Sequence, residues 1–503
     1  MQSTILGVDM NERKIILIDD LVFQTAKENG VKIEQGENLG EVNGMVVARL
    51  SQSPKPFKEI ISEIVNNHGF DKEKVKEFHE RITLGWGHHS IEQHANVSVA
   101  FENMSIIATN KYYENKRLAA YLERSTRYQD FSIPSYYIPT ELTEDLQKEY
   151  IEIIDSLFES YAKVLDLTIN EITKTWKEKG SPADEKTIKK KAFDCARYLL
   201  PCSTHTNFGM TTNSQIYRAL IHDLKSEDNA ELTQSAMELQ KELEKVYPAL
   251  VSEKVSVGDE KRKEHKNKNI TINPVEVGND NKITIGKYDF ENIQNTVKLL
   301  QGTFDAKQLI CYNYLINQGF DVTKVGEKIF LSGKEINYDE ITPKVFAYNS
   351  IEGKPHRAAE LANYYFDTII DFGAGRDIHR NRMLTWIDSV VSPEYGFAIP
   401  YYLNEEAKEE YLTAMKKAFT FWVKLIENGV SKEIAQYILP LGTNYRVLYT
   451  INAKELHHVA KTRTTSHAHY SYREYVHKLV DEVKKINPLI GKEMPDTYAS
   501  EIN

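Results

Sequence analysis

Two stretches of this 503-residue chain echo each other, and that constrains its fold more than any other feature, because a recurring segment has to build the same elements twice. "SIPSYYIPTELTEDLQKEYIEIIDSLFESYAKVL", from Ser132, matches "AIPYYLNEEAKEEYLTAMKKAFTFWVKLI", from Ala398, and sets Pro134 against Pro400, 266 residues on. "ARYLLPCSTHTNFGMTTN" (Ala196 to Asn213) matches "AQYILPLGTNYRVLYTIN" (Ala435 to Asn452), now 239 residues on. The difference, 27 residues, is an excess in the first copy, and the polar, lysine-rich "KEKGSPADEKTIKKK" is placed to supply it. The chain reads as a tandem duplication: an N-terminal extension over residues 1–45, a first repeat over 46–250, a charged linker over 251–289 and a second repeat over 290–503.

Each copy has the same coarse order. A strand candidate ("NGMVVARLS", then "NTVKLLQG") precedes helical stretches, a basic segment, a Pro/Tyr turn, a long amphipathic helix and the Leu-Pro segment. Ile151, Ile154, Phe158, Tyr161 and Leu165 recur at helical spacing, so that helix is scaffold. The linker is charged, bears Gly and Asn and lacks apolar periodicity, which leaves room for one hairpin. The expected class is α+β, helix-rich, with a small antiparallel sheet in each repeat.

Composition narrows the setting. Hydrophobic residues at 41% and charged residues at 27% describe a soluble protein, and no apolar run approaches the roughly 18 residues of a membrane span. The N-terminus lacks a secretory pattern, and three cysteines make no disulfide framework, so a cytoplasmic location is expected. A net charge of −10 argues against stable nucleic-acid binding and leaves a small anion in a locally basic cleft.

Candidate chemistry concentrates in "TINAKELHHVAKTRTTSHAHYSYREY", Thr450 to Tyr475. Read as a helix, it aligns Asn452, Leu456, Val459 and Arg463 on one face, with the polar ends roughly 16 Å apart. The first copy has Asn213, Tyr217, Leu220 and Leu224 there, so the Arg463 position tolerates an apolar residue and is expected to be buried. A buried cation faces an anion or a polarised carbonyl. The histidines around it are expected mostly to line the same cleft; a metal site is disfavoured because no cysteine or spaced carboxylate accompanies them. In "GWGHHSIEQH", Ser90 stands near His88, His89 and His94 without the elbow turn a Ser–His nucleophile needs. The basic segments "NKYYENKRLAAYLERSTRYQ", read as a helix, and "GAGRDIHRNRMLTW", with Arg376, Arg380 and Arg382, suit phosphate binding through arginines; the solvated helix is the plain alternative for the first.

These segments resemble one known family, the flavin-dependent thymidylate synthases. "GHHSIEQH" is similar to their GHxSxxEH segment, "NKRLAAYLERSTR" to their RHRxxSxxxxSxR signature, "ARYLLP" to their substrate-binding arginine followed by Leu-Pro, and the Asn452, Arg463, Ala468 spacing to their closing motif. The resemblance implies nucleotide contacts from Glu123, Ser125, Arg127 and Arg197, and flavin contacts from His88, Ser90, Asn213, Asn452 and the Arg380, Asn381, Arg382 triplet. It makes Arg463 the group that polarises the pyrimidine. It further implies FAD as cofactor, NADPH and methylenetetrahydrofolate as co-substrates, and dUMP as the nucleotide methylated at C5. The departures are complementary: the first copy has Asn115, Lys116, Gln93 and Leu224 where the family has Arg, His, an acid and the activating Arg, and the second has Gln436 opposite Arg197. A fused pair can divide one site between its halves, so the resemblance implies a homodimer that mimics the family's tetramer. Two other readings stay open: a diverged paralogue with another pyrimidine modification or a non-catalytic nucleotide-binding role, and a metal-dependent nucleotide hydrolase.

Overall fold

The computed structural model describes residues 40–498 apart from 51–52, 56, 69–71, 179, 181–183, 252–281, 286–287, 327 and 348–352, together with a few positions between 24 and 30. Most of the 1–45 extension and of the linker therefore lies outside the described residues. The described chain is helix-rich α+β with small sheets, and none of its helices is long and apolar enough to cross a membrane.

The first strand candidate is a helix, α1 (Gly40–Leu50). Its Val-Val pair suggested a strand, but Glu41, Gly44 and Met45 are buried at i, i+3 and i+4, and tertiary packing overrides the local preference. Helices α2 (Phe57–His68) and α3 (Lys72–Phe78) follow. The segment Asn110 to Gln129 is not a helix either: after one π-turn over Thr109–Tyr113 it extends into a strand, so the helical faces expected for its basic residues do not exist.

From there the two repeats run in parallel order. The first contributes β1 (Asn96–Ser105), β2 (Ala120–Glu123), α4 (Glu144–Glu178), α5 (Glu185–Ala196), β3 (His205–Asn213), α6 (Ser214–Lys225) and α7 (Ala230–Glu244). A hairpin at the linker's end, β4 (Lys282–Ile285) and β5 (Tyr288–Glu291), matches the one expected there. Next come β6 (Thr296–Gly302), which is the expected strand "NTVKLLQG", α8 (Ala306–Asn317), a three-stranded meander β7 (Val322–Val325), β8 (Lys328–Leu331) and β9 (Lys334–Glu335), and α9 (Tyr338–Phe346). The second repeat then gives β10 (Asn363–Asp371), α10 (Phe372–His379), β11 (Thr385–Asp388), α11 (Glu405–Glu427), α12 (Lys432–Ala435), β12 (Asn444–Asn452), α13 (Ala453–Arg463) and α14 (Tyr470–Ile486). Sheet order repeats as well: β1-β3-β2 in one copy and β10-β12-β11, extended by β6 on β10, in the other. The 27 extra residues are mostly absorbed by longer helices rather than by a loop, since α4 has 35 residues against 23 in α11, and α5 has 12 against 4 in α12.

Two compact units divide the chain, and neither is a repeat. The smaller falls within residues 1–101, 118–122 and 209–269, the larger within 102–117, 123–208 and 270–503. In the smaller unit the Glu41 carboxylate accepts from the backbone N–H of Ala249 and of Leu250 (both 3.1 Å), and Nε2 of His79 bonds the Glu41 carbonyl at 2.8 Å.

In the larger unit β10 and β12 pair antiparallel over nine residues, from Asn363↔Asn452 to Asp371↔Asn444. Alternation sends Tyr364, Phe366, Thr368 and Ile370 of β10 and Tyr445, Val447, Tyr449 and Ile451 of β12 into the core, where α14 covers them and Tyr475 donates to Thr368 Oγ1 (3.0 Å). The long helices of the two copies lie antiparallel, with the Tyr150 and Phe421 rings 6.3 Å apart and Ser160 bonded to Glu410 at 2.6 Å. The two Leu-Pro segments then meet backbone to backbone: Cys202 N–H donates to Leu439 O (2.8 Å) and Leu441 N–H to Leu200 O (2.9 Å). Equivalent segments pairing with each other is what a local two-fold produces.

A candidate anion site built from both repeats

Four segments of the larger unit bring their charges together. β2 ends on Glu123, with Ser125 and Arg127 just beyond it; α5 carries Asp194 in its last turn, and Arg197 opens the next 3-10 turn. Helix α10 presents Arg376 and Asp377 and is followed by its C-cap Arg380, while α13 ends on Arg463 and α14 begins with Tyr470 and Tyr472. α10 can lie this deep because of its glycines: a Cβ on Gly375 would sit 2.2 Å from the Tyr445 hydroxyl, and one on Gly373 would sit 2.9 Å from the Tyr198 ring.

Arg127, Arg197, Arg376 and Arg380 each have an acid. Arg127 forms a two-pronged pair with Asp194 (Nε–Oδ1 2.6 Å, Nη2–Oδ2 2.9 Å) and donates to the Tyr472 hydroxyl at 2.7 Å. Arg197, 2% exposed, donates to Gly373 O at 3.0 Å and reaches Asp377 at 3.4 Å. Arg376 and Arg380 hold the Glu123 carboxylate at 2.6 and 2.9 Å. The Tyr472 ring lies between two cations, with the guanidinium carbon of Arg127 at 5.6 Å and that of Arg463 at 5.8 Å. Burial works against ionisation of Asp377, but Arg197, Arg380, Arg127 and Arg463 outweigh it and hold the carboxyl well below the usual carboxylate range. The Oγ of Ser125 accepts from the Arg127 N–H at 3.2 Å and keeps its O–H to donate.

Three donors are left over. The Nε of Arg197, of Arg376 and of Arg463 is buried with no hydrogen-bond partner among the described residues. Buried donors of this kind are costly unless something accepts from them, and guanidinium groups accept oxyanions best. Beside them Asn381 and Arg382 line a small cavity of about 70 Å³ with Glu114, Arg117 and His379. The Nδ1 of His379 also lacks a partner among the described residues, and burial lowers that ring to about 4, so it is neutral. Burial, then the neighbouring Glu123, raises the Glu114 carboxyl to about 7.

The structure thus gathers Glu123, Ser125, Arg127, Arg197, Arg380 and Arg463, with Asn381 and Arg382 on the adjoining cavity. His88, Ser90 and Asn213 belong to the smaller unit. Asn452 and Asn213 are helix caps: the Oδ1 of Asn452 accepts from Glu455 N at 2.9 Å, and that of Asn213 from Ile216 N at 3.1 Å. The histidines do not line one cleft as expected. His457 packs on Phe346 with ring centres 5.9 Å apart, whereas His469 is buried beside Tyr472, gives Nε2–H to Asp194 O (3.0 Å) and accepts at Nδ1 from Ser471 N (3.2 Å). Among the described residues no three His, Cys, Asp or Glu side chains are grouped to hold a metal ion. Sequence reasoning missed Asp194, Asp377, Tyr472 and Glu114. The spacing of Asp194 three residues before Arg197 was the one available signal.

The family profile described as thymidylate synthase complementing protein matches residues 40–249 and 311–489, one segment in each repeat. The chain belongs to that family. A relative of similar length, UPF0159 protein Ta1429 of Thermoplasma acidophilum, is 25% identical over 485 residues, covering 89% of this chain and 93% of its own. The flavin-dependent thymidylate synthase of Clostridium tetani is 26% identical over 229 residues, which is 44% of this chain but 86% of that one. A fused, duplicated thymidylate synthase complementing protein has these proportions. Among solved structures, a UMP/dUMP methylase of Streptomyces cacaoi bound with 5-bromo-dUMP shares 15% identity and a TM-score of 0.32, covering 40% of this chain and 95% of its own.

Proposed function

We propose that this protein methylates dUMP at C5, with FAD as cofactor and NADPH and methylenetetrahydrofolate as co-substrates, in sites assembled from both repeats of a chain that works as a homodimer. The observation that carries this reading is the set of three buried guanidinium Nε donors with no partner among the described residues, Arg197 from the first repeat and Arg376 and the half-buried Arg463 from the second, within one cluster. They suit an anionic nucleotide whose pyrimidine carbonyl gains charge as C5 reacts, and a fixed cation in a low-dielectric site stabilises that charge.

Arg463 is the activating cation and the Tyr472 face holds its guanidinium in place. Arg127 and Arg197 position the nucleotide, each kept in one orientation by Asp194 and Asp377. For FAD, the donor set of Arg117, Arg382, Asn381 and the orphaned His379 nitrogen fits a diphosphate, with its neighbours Arg380 and Glu123 fixing their helix. When bound, the flavin supplies the redox chemistry that brings the transferred carbon to the methyl level. Asn452, His88, Ser90 and Asn213 are assigned to the flavin by family likeness alone.

One observation favours a second reading, a paralogue with another pyrimidine modification or a binding role: Asp194, Asp377 and Glu123 already balance Arg127, Arg197 and Arg376. An absorption spectrum of the purified protein between about 350 and 500 nm, before and after adding FAD and dUMP, separates the two. A flavin band that shifts with dUMP, followed by dTMP formation with NADPH and methylenetetrahydrofolate, supports the synthase; absence of flavin binding under every condition selects the paralogue.

A further inference from the structure

A second basic cavity, of about 230 Å³, opens beside the arginine cluster, and its cations are residues to which no role has been given so far. It is lined by Lys186, Lys190 and Lys191 of α5, by Arg473 of α14 and by Tyr128 and Tyr402. The lysines belong to the elongated helix that the second repeat reduces to four residues, so the duplication did not supply them.

Contacts hold Lys190 and Lys191 in place. Lys190 Nζ donates to the carbonyl of His467 at 2.9 Å, and Arg127 Nη2 reaches the same oxygen at 3.5 Å, which ties the lysine helix to the arginine site through one atom. Lys190 stands 5.2 Å from the Tyr128 ring centre and Lys191 5.1 Å from that of Tyr402. The acids lining this cavity are committed elsewhere: Asp184 caps α5 by accepting from Thr187 N (2.7 Å), and both oxygens of Asp194 are taken by Arg127. Ligand pockets ordinarily span about 300–1,000 Å³, so this one suits the tail of a ligand better than a whole one.

We propose that Lys186, Lys190, Lys191 and Arg473 form an oligoanion subsite continuous with the arginine cluster, selecting a ligand that carries a chain of several negative charges. This rests on the nucleotide reading above and extends it to substrate class. Two sources share the chemistry, the phosphate chain of a nucleotide and the carboxylate chain of a polyglutamylated folate.

Calorimetric titration of the full chain with dUMP against dUTP, with folate mono- against pentaglutamate, and with inorganic phosphate against tripolyphosphate tests it. The longer member of at least one organic pair and of the inorganic pair binds at least tenfold more tightly. Lys186→Gln/Lys191→Gln, which leaves the Lys190–His467 bond intact, removes that preference and changes short-tailed binding less than twofold; Lys186→Glu, at an exposed position, serves if the double variant does not fold. No preference in any pair, or one that survives the substitutions, overturns the subsite. Lysine-dependent tripolyphosphate binding without binding of any nucleotide sinks the synthase reading and upholds the subsite, whereas nucleotide binding with no length preference in any of the three pairs does the reverse.

Discussion

Arg463 and Arg197 are both cationic members of the cluster, yet their substitutions are expected to differ. Arg463 has no carboxylate bonded to it among the described residues, so Arg463→Gln removes a donor without stranding an acid. Turnover should fall at least 100-fold while the melting temperature stays within about 2 °C, as steady-state rates and calorimetry will show. Arg197→Ala instead leaves Asp377 with fewer counterions in a buried setting, a change that typically costs about 3–5 kcal/mol. Its melting temperature should drop by several degrees together with nucleotide affinity. Glu114 adds a pH dependence. A carboxyl raised to about 7 in the fold takes up a proton on folding between its unfolded value, roughly 4.3, and 7, so its contribution to stability is present at low pH and is lost as pH rises through that window. Glu114→Gln should match wild type near pH 5 and melt a few degrees higher at pH 8. At this scale the sequence showed its cations and hid their partners. Arg463 and Arg197 stood out because the other copy carries Leu224 and Gln436 in the same register. Asp377 and Asp194 did not, since an acid near an arginine on a helix usually reads as an exposed pair.

At the scale of elements, capping distinguishes two accounts of Asn452. As N-cap of α13 it is replaceable by aspartate, whereas a contact through its side-chain amide is not. Asn452→Ala should cost about 1 kcal/mol in urea unfolding, and Asn452→Asp should restore that stability; a loss of flavin affinity in both variants would add the cofactor role. Gly375→Ala forces a methyl against the Tyr445 hydroxyl and should destabilise by about 1–3 kcal/mol. Helices with strong apolar periodicity, such as Glu144–Glu178, were legible from spacing alone. Gly40–Leu50 and the Ala120–Glu123 strand were not, because burial of Glu41, Gly44 and Met45 in one case and sheet pairing in the other decide against local preference.

At the scale of the molecule the duplication was legible and the packing of its halves was not. Matching segments give element order, but nothing in a sequence says that Leu200 will bond to Leu441 rather than to its own repeat. Because the larger unit combines residues 123–208 of the first repeat with the second repeat, the repeats should not fold separately. A chain ending at Leu250 is expected to lack near-ultraviolet dichroism and to aggregate, and co-expression with residues 282–503 should recover a soluble pair. The meeting of the two Leu-Pro segments also sets a timetable for biosynthesis. Leu200 leaves the ribosome about 240 residues ahead of Leu441, an interval of about 12–50 s at roughly 5–20 residues per second. Until then Cys202, fully buried in the finished fold and bonded through its N–H to Leu439 O, lacks that partner, and thiol trapping on stalled chains should label it there but not in the finished protein.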